Sequence, residues 1–190
     1  MLPSVAEQLR AIKCRLEETI IPEIPEGSKF ARDQADFILT ALSWILEINE
    51  HQYRYEVVEN REYREGLSLL LNLAKDTSEG KCLPGHAERL LASEGPGVEE
   101  GLIPLTSLEA QNRQLRKLVA EMYRGLVDQH PDKAEGARSI LKVLALRQGE
   151  RDRAFYRKTG YLEGATSLAD ILYKQNSGNV LSPTGLRTSN

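Results

Sequence analysis

Apolar residues recur at helical spacing through most of this chain, and this periodicity restricts the fold more than any other feature. In the first segment they fall at steps of four, three, four and four: Val5, Leu9, Ile12, Leu16 and Ile20. Ser4 and Glu7 have the spacing of a capping box that begins a helix. Pro22 ends that helix because proline lacks a backbone donor. Since no strand-like alternation persists elsewhere, the sequence predicts an all-α fold.

A second helix is predicted to begin at Ser28 and to carry apolar residues over a wide arc. These residues form two neighbouring stripes. The first contains Ala31, Ala35, Ile38, Leu42 and Ile45, and the second contains Phe37, Ala41, Trp44 and Ile48. Because so wide an apolar arc needs more than one neighbour, we expect this helix to be central. A polar, tyrosine-rich stretch follows and predicts a helix break between His51 and Asn60, since an unbroken helix would far exceed the usual ~12 residues.

Further helices are predicted in the rest of the chain. One carries Tyr63, Leu67, Leu70, Leu71 and Ala74, and another carries Leu108, Leu115, Leu118, Met122 and Leu126. Thr106 and Glu109 have capping-box spacing for the latter helix, Pro131 suits the first turn of the next, and a last helix starts near Ser167 and ends by Asn176. Between them lies an irregular stretch with a short helix over 86–92.

These elements predict a helical bundle of about four main helices plus shorter ones. A single domain is expected over 1–176, with an irregular loop or lid at 76–105. The polar residues of 177–190 predict a flexible tail, because they lack the apolar mass needed to order themselves.

Charge and cysteine content restrict the partners and the compartment. Lys plus Arg total 25 and Asp plus Glu total 28, so the net charge of −3 gives no field typical of nucleic-acid or anionic-membrane binders. The apolar run from Phe37 to Ile48 is too short for the ~20 residues that span a bilayer. With two cysteines and no secretion signal at the N-terminus, we expect a soluble cytoplasmic protein that binds neither nucleic acid nor membrane.

The strongest polar cluster contains Glu47, Glu50, His51 and Glu56, with Tyr53 beside them. Glu47 and His51 stand one helical turn apart and could bind a ligand or metal, which would suit a helical-bundle enzyme or sensor. However, the Glu-x-x-His pattern of di-iron bundles occurs nowhere in the chain. The alternative is the polar end of an ordinary helix, and we expect no cofactor and no metal.

A local excess of basic residues lies between 138 and 158. Arg147 with Arg151, and Arg153 with Arg157, are i,i+4 pairs that would form two outward-facing basic faces. Such faces could bind a phosphate, a CoA ester or an acidic partner protein. The alternative is a solvated helix surface with acidic neighbours.

Catalytic fingerprints do not occur in the sequence, which has no phosphate loop, dinucleotide-binding glycine motif, nucleophile elbow or zinc-protease motif. No residue can therefore be nominated as nucleophile or base. The sequence favours a non-catalytic accessory or protein-interaction subunit over an enzyme. The wide apolar arc of the second helix predicts a homodimer formed through an apolar helix face.

Residues 6–46 carry one further pattern, in which a leucine-rich helix leads through a proline connector into an alanine-rich helix. The connector contains Glu18, Ile21 and Pro22, and the second helix opens with Lys29-Phe30-Ala31 followed by Ala35. This arrangement resembles the start of a small, uncharacterised family of bacterial all-helical proteins. Members are often encoded beside acyl-CoA dehydrogenases and aminoglycoside-phosphotransferase-like kinases, so the resemblance implies an accessory part in acyl-CoA metabolism. No catalytic residue is known for that family, and none is implied here.

Overall fold

The computed structural model describes residues 3–75, 83–93, 103–159 and 166–174, and these residues form an all-α helical bundle. They contain seven α-helices and no strand, which confirms the predicted fold class. The helices are α1 Val5–Arg15, α2 Lys29–Asn49, α3 Gln52–Lys75, α4 Leu83–Ala92, α5 Leu105–Gln129, α6 Ala134–Phe155 and α7 Leu168–Lys174. The tail at 177–190 and most of the irregular stretch at 76–105 lie outside the described residues.

The chain divides into two compact units. The first unit comprises Met1–Gln52 and Arg151–Ile171, and the second comprises Tyr53–Glu150 and Leu172–Asn190. The single domain over 1–176 stays a prediction.

In the first unit, α1 begins as the sequence predicts. Ser4 Oγ accepts a hydrogen bond from the backbone N–H of Glu7 at 3.2 Å, and Glu7 Oε2 accepts one from the N–H of Ser4 at 2.6 Å. This reciprocal pair satisfies two donors that the first turn leaves open. After Arg15 the helix widens into a π-helical turn, Leu16–Ile20, and closes in a short 3₁₀ turn that contains Pro22. α1 and the π-helical turn pack against α2.

α2 differs from its prediction in two ways. The side chain of Ser28 makes no capping hydrogen bond, and Ala35 is the helix's one buried residue. Phe30 is 77% exposed and Phe37 is 70% exposed. The expectation of a central α2 was therefore wrong, because its neighbours cover one side of its apolar arc and leave the other side in solvent.

A break does separate α2 from the next helix. It lies at Glu50 and His51, at the N-terminal edge of the predicted interval, and α3 then runs without interruption from Gln52. Val57 and Val58 lie inside α3 and are almost completely buried. Their packing overrides the weak helix propensity of β-branched residues, so the chain stays helical where a break was expected.

The apolar core of the second unit is built by α3, α4, α5 and α6. Its buried members are Leu67, Leu70, Leu71, Ala87, Leu115, Leu118, Val119, Met122, Leu126, Ala137 and Leu144. Gly66 allows α3 to approach α6 closely, since a Cβ there would lie 2.5 Å from Cδ1 of Leu144. The stripe predicted for α5 therefore does face the core.

The remaining helix ends follow the sequence with one correction. α5 begins at Leu105, directly after Pro104, and no side chain caps it, so the predicted Thr106 capping box is wrong. The extended backbone at Pro104 places the start of α5 two residues earlier than a cap at Thr106 would. Pro131 lies in a 3₁₀ turn before α6. Ser167 caps α7 by accepting a hydrogen bond from the N–H of Asp170 at 3.1 Å.

Candidate functional site

A connected set of polar side chains lies between α3 and α5 in the second unit. Glu59 and Asn60 of α3 and Asn112 of α5 are fully buried. Burying a polar group is costly unless it is hydrogen-bonded, so each of these side chains needs a partner within the fold.

A continuous run of hydrogen bonds, here called the amide chain, connects four polar side chains: Arg64, Asn60, Asn112 and Glu56. Arg64 Nε donates to Asn60 Oδ1 at 2.7 Å, and Asn60 Nδ2 donates to Asn112 Oδ1 at 2.7 Å. Asn112 Nδ2 donates to the backbone oxygen of Glu56 at 2.9 Å and to its Oε2 at 2.7 Å. A guanidinium can only donate and a carboxylate can only accept, so the two ends fix the orientation of both amides.

Beside the amide chain, Glu59 pairs with Arg116. Arg116 Nη2 lies 2.6 Å and 2.7 Å from the two carboxylate oxygens of Glu59. The guanidinium carbon also lies 6.0 Å from the ring centroid of Tyr63. A buried carboxylate persists only with such a partner, so this pair is a structural requirement of the α3–α5 contact.

Glu56 is the titratable end of the amide chain. Burial raises the pKa of its carboxyl, and the hydrogen bond from Asn112 works against that shift. The nearby carboxylates of Glu59 and Glu109 raise the pKa of Glu56 further, while Arg116 lowers it. Groups with shifted pKa values concentrate at functional sites, so Glu56 is a candidate site residue.

The predicted polar cluster is divided between the two units. In the first unit, Glu47 Oε1 lies 2.7 Å from Arg157 Nη2, and Glu50 makes a looser ion pair at 3.8 Å with Arg10. His51 is half-buried in the turn between α2 and α3. In the second unit, Tyr53 donates a hydrogen bond to the backbone oxygen of Ile103 at 3.0 Å. Ligand binding by these residues stays a prediction.

The Glu47 contact belongs to a packed end of the first unit. Trp44 Nε1 donates to the backbone oxygen of Phe155 at 2.8 Å, and the indole ring stacks on Tyr156. The Arg157–Glu47 pair lies next to this aromatic contact in sequence and holds the same two segments together. Within 3–75, 83–93, 103–159 and 166–174, no group of three or more His, Cys, Asp or Glu residues is placed to hold a metal ion.

The four arginines of the predicted basic faces have different surroundings. Arg147 lies 3.9 Å from the carboxylates of both Glu62 and Glu65 in the second unit. In the first unit, Arg151 is 1% exposed and Arg157 pairs with Glu47, whereas Arg153 is exposed. The outward orientation expected of Arg151 is wrong, because its helix position faces packed protein rather than water. Anion or partner binding by these residues stays a prediction.

One side of α2 is an exposed apolar surface, here called the α2 face: Phe30, Phe37, Ile38 and Ile45. At 100° per residue these four side chains lie within an arc of about 100°. Phe30 and Phe37 are two turns apart, as are Ile38 and Ile45, so apolar side chains recur along the helix, with the exposed Gln34 between the two phenylalanines. Contiguous exposed apolar surface on a protein marks a site of interaction.

Among the described residues, no helix is both long and apolar enough to cross a membrane. Comparison of the chain with protein-family models, curated proteins and solved structures finds no match.

One residue of the α5 stripe is a signal in the sequence for the amide chain. Asn112 occupies the stripe position between Leu108 and Leu115, four residues after the first and three before the second. A polar residue on a core-facing stripe has to find a buried partner. Glu56 and Asn60 stand one turn apart on α3, but the sequence does not say that α3 and α5 meet at that level.

Proposed function

We propose that this protein is a non-catalytic accessory subunit of the bacterial cytoplasm that acts through protein–protein contact and forms a homodimer through the α2 face. The observation that carries this proposal is the exposure of Phe30 and Phe37 on one line of α2. A second copy of this chain is the occupant to which the proposal commits, since a two-fold axis places identical apolar faces together.

The area of the α2 face suits a reversible dimer. With about 200 Å² per phenylalanine, Phe30 and Phe37 expose about 300 Å² in each protomer, or about 600 Å² in a dimer. That is half of the ~1,200 Å² at the lower end of specific interfaces. Ile38 and Ile45 add to it, and Val5 and Ile12 of α1 expose further apolar area in the same unit.

The apolar area of the α2 face supplies a driving force for association. At about 25 cal/mol per Å², complete burial of the phenylalanine area contributes at most about 15 kcal/mol. Association costs about 4–15 kcal/mol in lost freedom of motion, and the ordering of side chains adds to that cost. Because buried area does not convert directly into affinity, the molar mass in solution is the deciding measurement.

The resemblance of residues 6–46 adds a direction to the accessory role. Those residues contain α1 and nearly all of α2, so the resembling segment is the one that carries the α2 face. We place the protein as an accessory component of acyl-CoA metabolism on that resemblance alone.

The test is the molar mass in solution of untagged wild-type protein and two charge variants, measured by light scattering after gel filtration. Phe37→Glu introduces a charge into the α2 face, and Leu146→Glu introduces the same charge at an exposed leucine of α6. We expect a dimer for the wild type and for Leu146→Glu, and a monomer for Phe37→Glu. A wild type that stays monomeric at about 100 µM, a concentration that populates dimers with micromolar Kd, would refute the proposed dimer.

A second candidate function is a small-molecule-binding bundle centred on Glu56 rather than on Glu47, Glu50 and His51. The observation that favours it is the raised pKa of the half-buried Glu56 carboxyl beside the Asn112 amide. Polar groups with shifted pKa values concentrate at binding sites. A compound that co-purifies with the wild type and is lost in Glu56→Ala would support this candidate.

A further inference from the structure

α4 is a short helix that packs on the apolar core of the second unit. It has ten residues, of which Ala87 is fully buried and Leu90 and Leu91 pack against the apolar core. A helix of this length is not stable alone in water, because the hydrogen bonds of so few turns do not compensate for the free-energy cost of helix nucleation. Its helical structure and its docking therefore depend on each other.

Arg64 of α3 binds the carboxyl end of α4. Its Nη1 donates to the backbone oxygens of Leu90, Leu91 and Ser93, each at 3.1 Å, and its Nη2 donates to Ser93 Oγ at 3.3 Å. These carbonyls belong to the last turn of the helix and the residue after it, where backbone acceptors lack the usual helical partners. The Leu90 oxygen also accepts hydrogen bonds from the Ser93 backbone N–H at 3.3 Å and from Ser93 Oγ at 2.6 Å. The partial negative charge at a helix C-terminus also favours a cation there.

The guanidinium of Arg64 is held from its other side by the amide chain. Its Nε donates to Asn60 Oδ1, and Asn60 is oriented by Asn112. Burial lowers the pKa of Arg64, which is the effect expected for a cation partly removed from water. The planar, forked guanidinium can serve the buried amide and several carbonyls at once, which the single ammonium group of a lysine cannot do in the same geometry.

We propose that α4 is a detachable strap over the apolar core of the second unit and that Arg64 is the residue that keeps it docked. Release of the strap is a local unfolding event, since the free helix does not persist. It uncovers the apolar side chains that Ala87, Leu90 and Leu91 cover. Local units of this type open at a lower free energy than the whole domain.

Hydrogen–deuterium exchange on the full chain tests this proposal by comparing Arg64→Ala, Arg64→Lys and the control Arg113→Ala, which removes an exposed arginine of α5. Protection factors are read for amides of α4 and of α5. In Arg64→Ala we expect protection in α4 to fall by about tenfold or more, as for loss of charged hydrogen bonds. Protection in α5 should fall by much less, since Arg64 meets α5 through Asn60 and a long 3.5 Å hydrogen bond to Gln111. Arg64→Lys should lose about threefold, and Arg113→Ala should match the wild type.

Two results would overturn the strap. The first is unchanged α4 protection in Arg64→Ala, and the second is an equal loss of protection in α4 and α5, which would show that Arg64 supports the whole unit. If Arg64→Ala does not fold, Arg64→Lys decides by the same comparison: selective loss in α4 supports the proposal, and equal or no loss contradicts it.

Discussion

Replacing Asn112 with alanine removes three hydrogen bonds from the interior of the second unit. Two are donated to Glu56 and one is accepted from Asn60. The fully buried Asn60 amide then keeps only Gln111 Oε1, at a long 3.4 Å, as acceptor for its Nδ2 group. The half-exposed Glu56 carboxylate can replace its lost partner with water, so its share of the cost is smaller.

The expected loss of unfolding free energy is about 1.5–3.5 kcal/mol. A buried donor left without a good acceptor costs about 1–3 kcal/mol. Loss of the side-chain volume and of the Glu56 bond adds about 1 kcal/mol. The higher helix propensity of alanine offsets about 0.5 kcal/mol of this loss.

Urea denaturation followed by circular dichroism at the helix band measures this loss, with Asn72→Ala as the matched control. Asn72 is an exposed asparagine on α3, so its replacement should raise stability by about 0.5 kcal/mol or leave it unchanged. The denaturant slope should be the same in all three proteins if the folded surface is preserved. A midpoint for Asn112→Ala that equals the control would refute the idea that the amide chain supports the α3–α5 contact.

Three further predictions concern other parts of the structure. Because the pKa of Glu56 is raised in the folded state, the contribution of this carboxyl to stability is present at low pH and is lost as pH rises through the folded-state pKa. Glu56→Gln should therefore be more stable than wild type at pH 8 in urea titrations, and the difference should vanish near pH 4. Gly66→Ala should change the unfolding free energy in thermal denaturation by less than about 1 kcal/mol, because its gain in helix propensity offsets the contact with Leu144. In the Leu144→Ala background the same substitution should stabilise the protein by about 1 kcal/mol, because that contact is gone. Arg157→Ala should lower the free energy of unfolding by about 1 kcal/mol and change the fluorescence of Trp44, which lies at the same end of α2 as Glu47. An unchanged free energy of unfolding would show that the Arg157–Glu47 pair adds nothing to stability.

Much of the fold could be predicted from the sequence because helical periodicity and capping chemistry are local. The Ser4 capping box and the α5 stripe are confirmed for that reason. Periodicity reports how wide an apolar arc is, but not how many neighbours cover it, so α2 was wrongly expected to be central. Likewise, the usual length of helices predicted a break between His51 and Asn60 but not its exact position; the turn lies at Glu50 and His51, and α3 stays helical through the buried Val57.

The candidate site was less accessible from the sequence because it depends on which helices meet. Glu47 and His51 form a conspicuous local pattern, yet Glu47 serves an ion pair with Arg157, far away in the chain. Asn112 looks unremarkable beside them, although it connects α3 to α5 through three short contacts. Polar residues on core-facing stripes are thus the better guide to this site than dense polar runs.

Native mass spectrometry of the untagged protein, with elemental analysis of the same sample, tests the central claim most directly. It counts the chains in each particle and weighs anything bound to them. We expect a species of two chains that converts to single chains in Phe37→Glu and carries no stoichiometric metal or small molecule. A single chain that retains a stoichiometric ligand would contradict the account and shift attention to Glu56 as a binding residue.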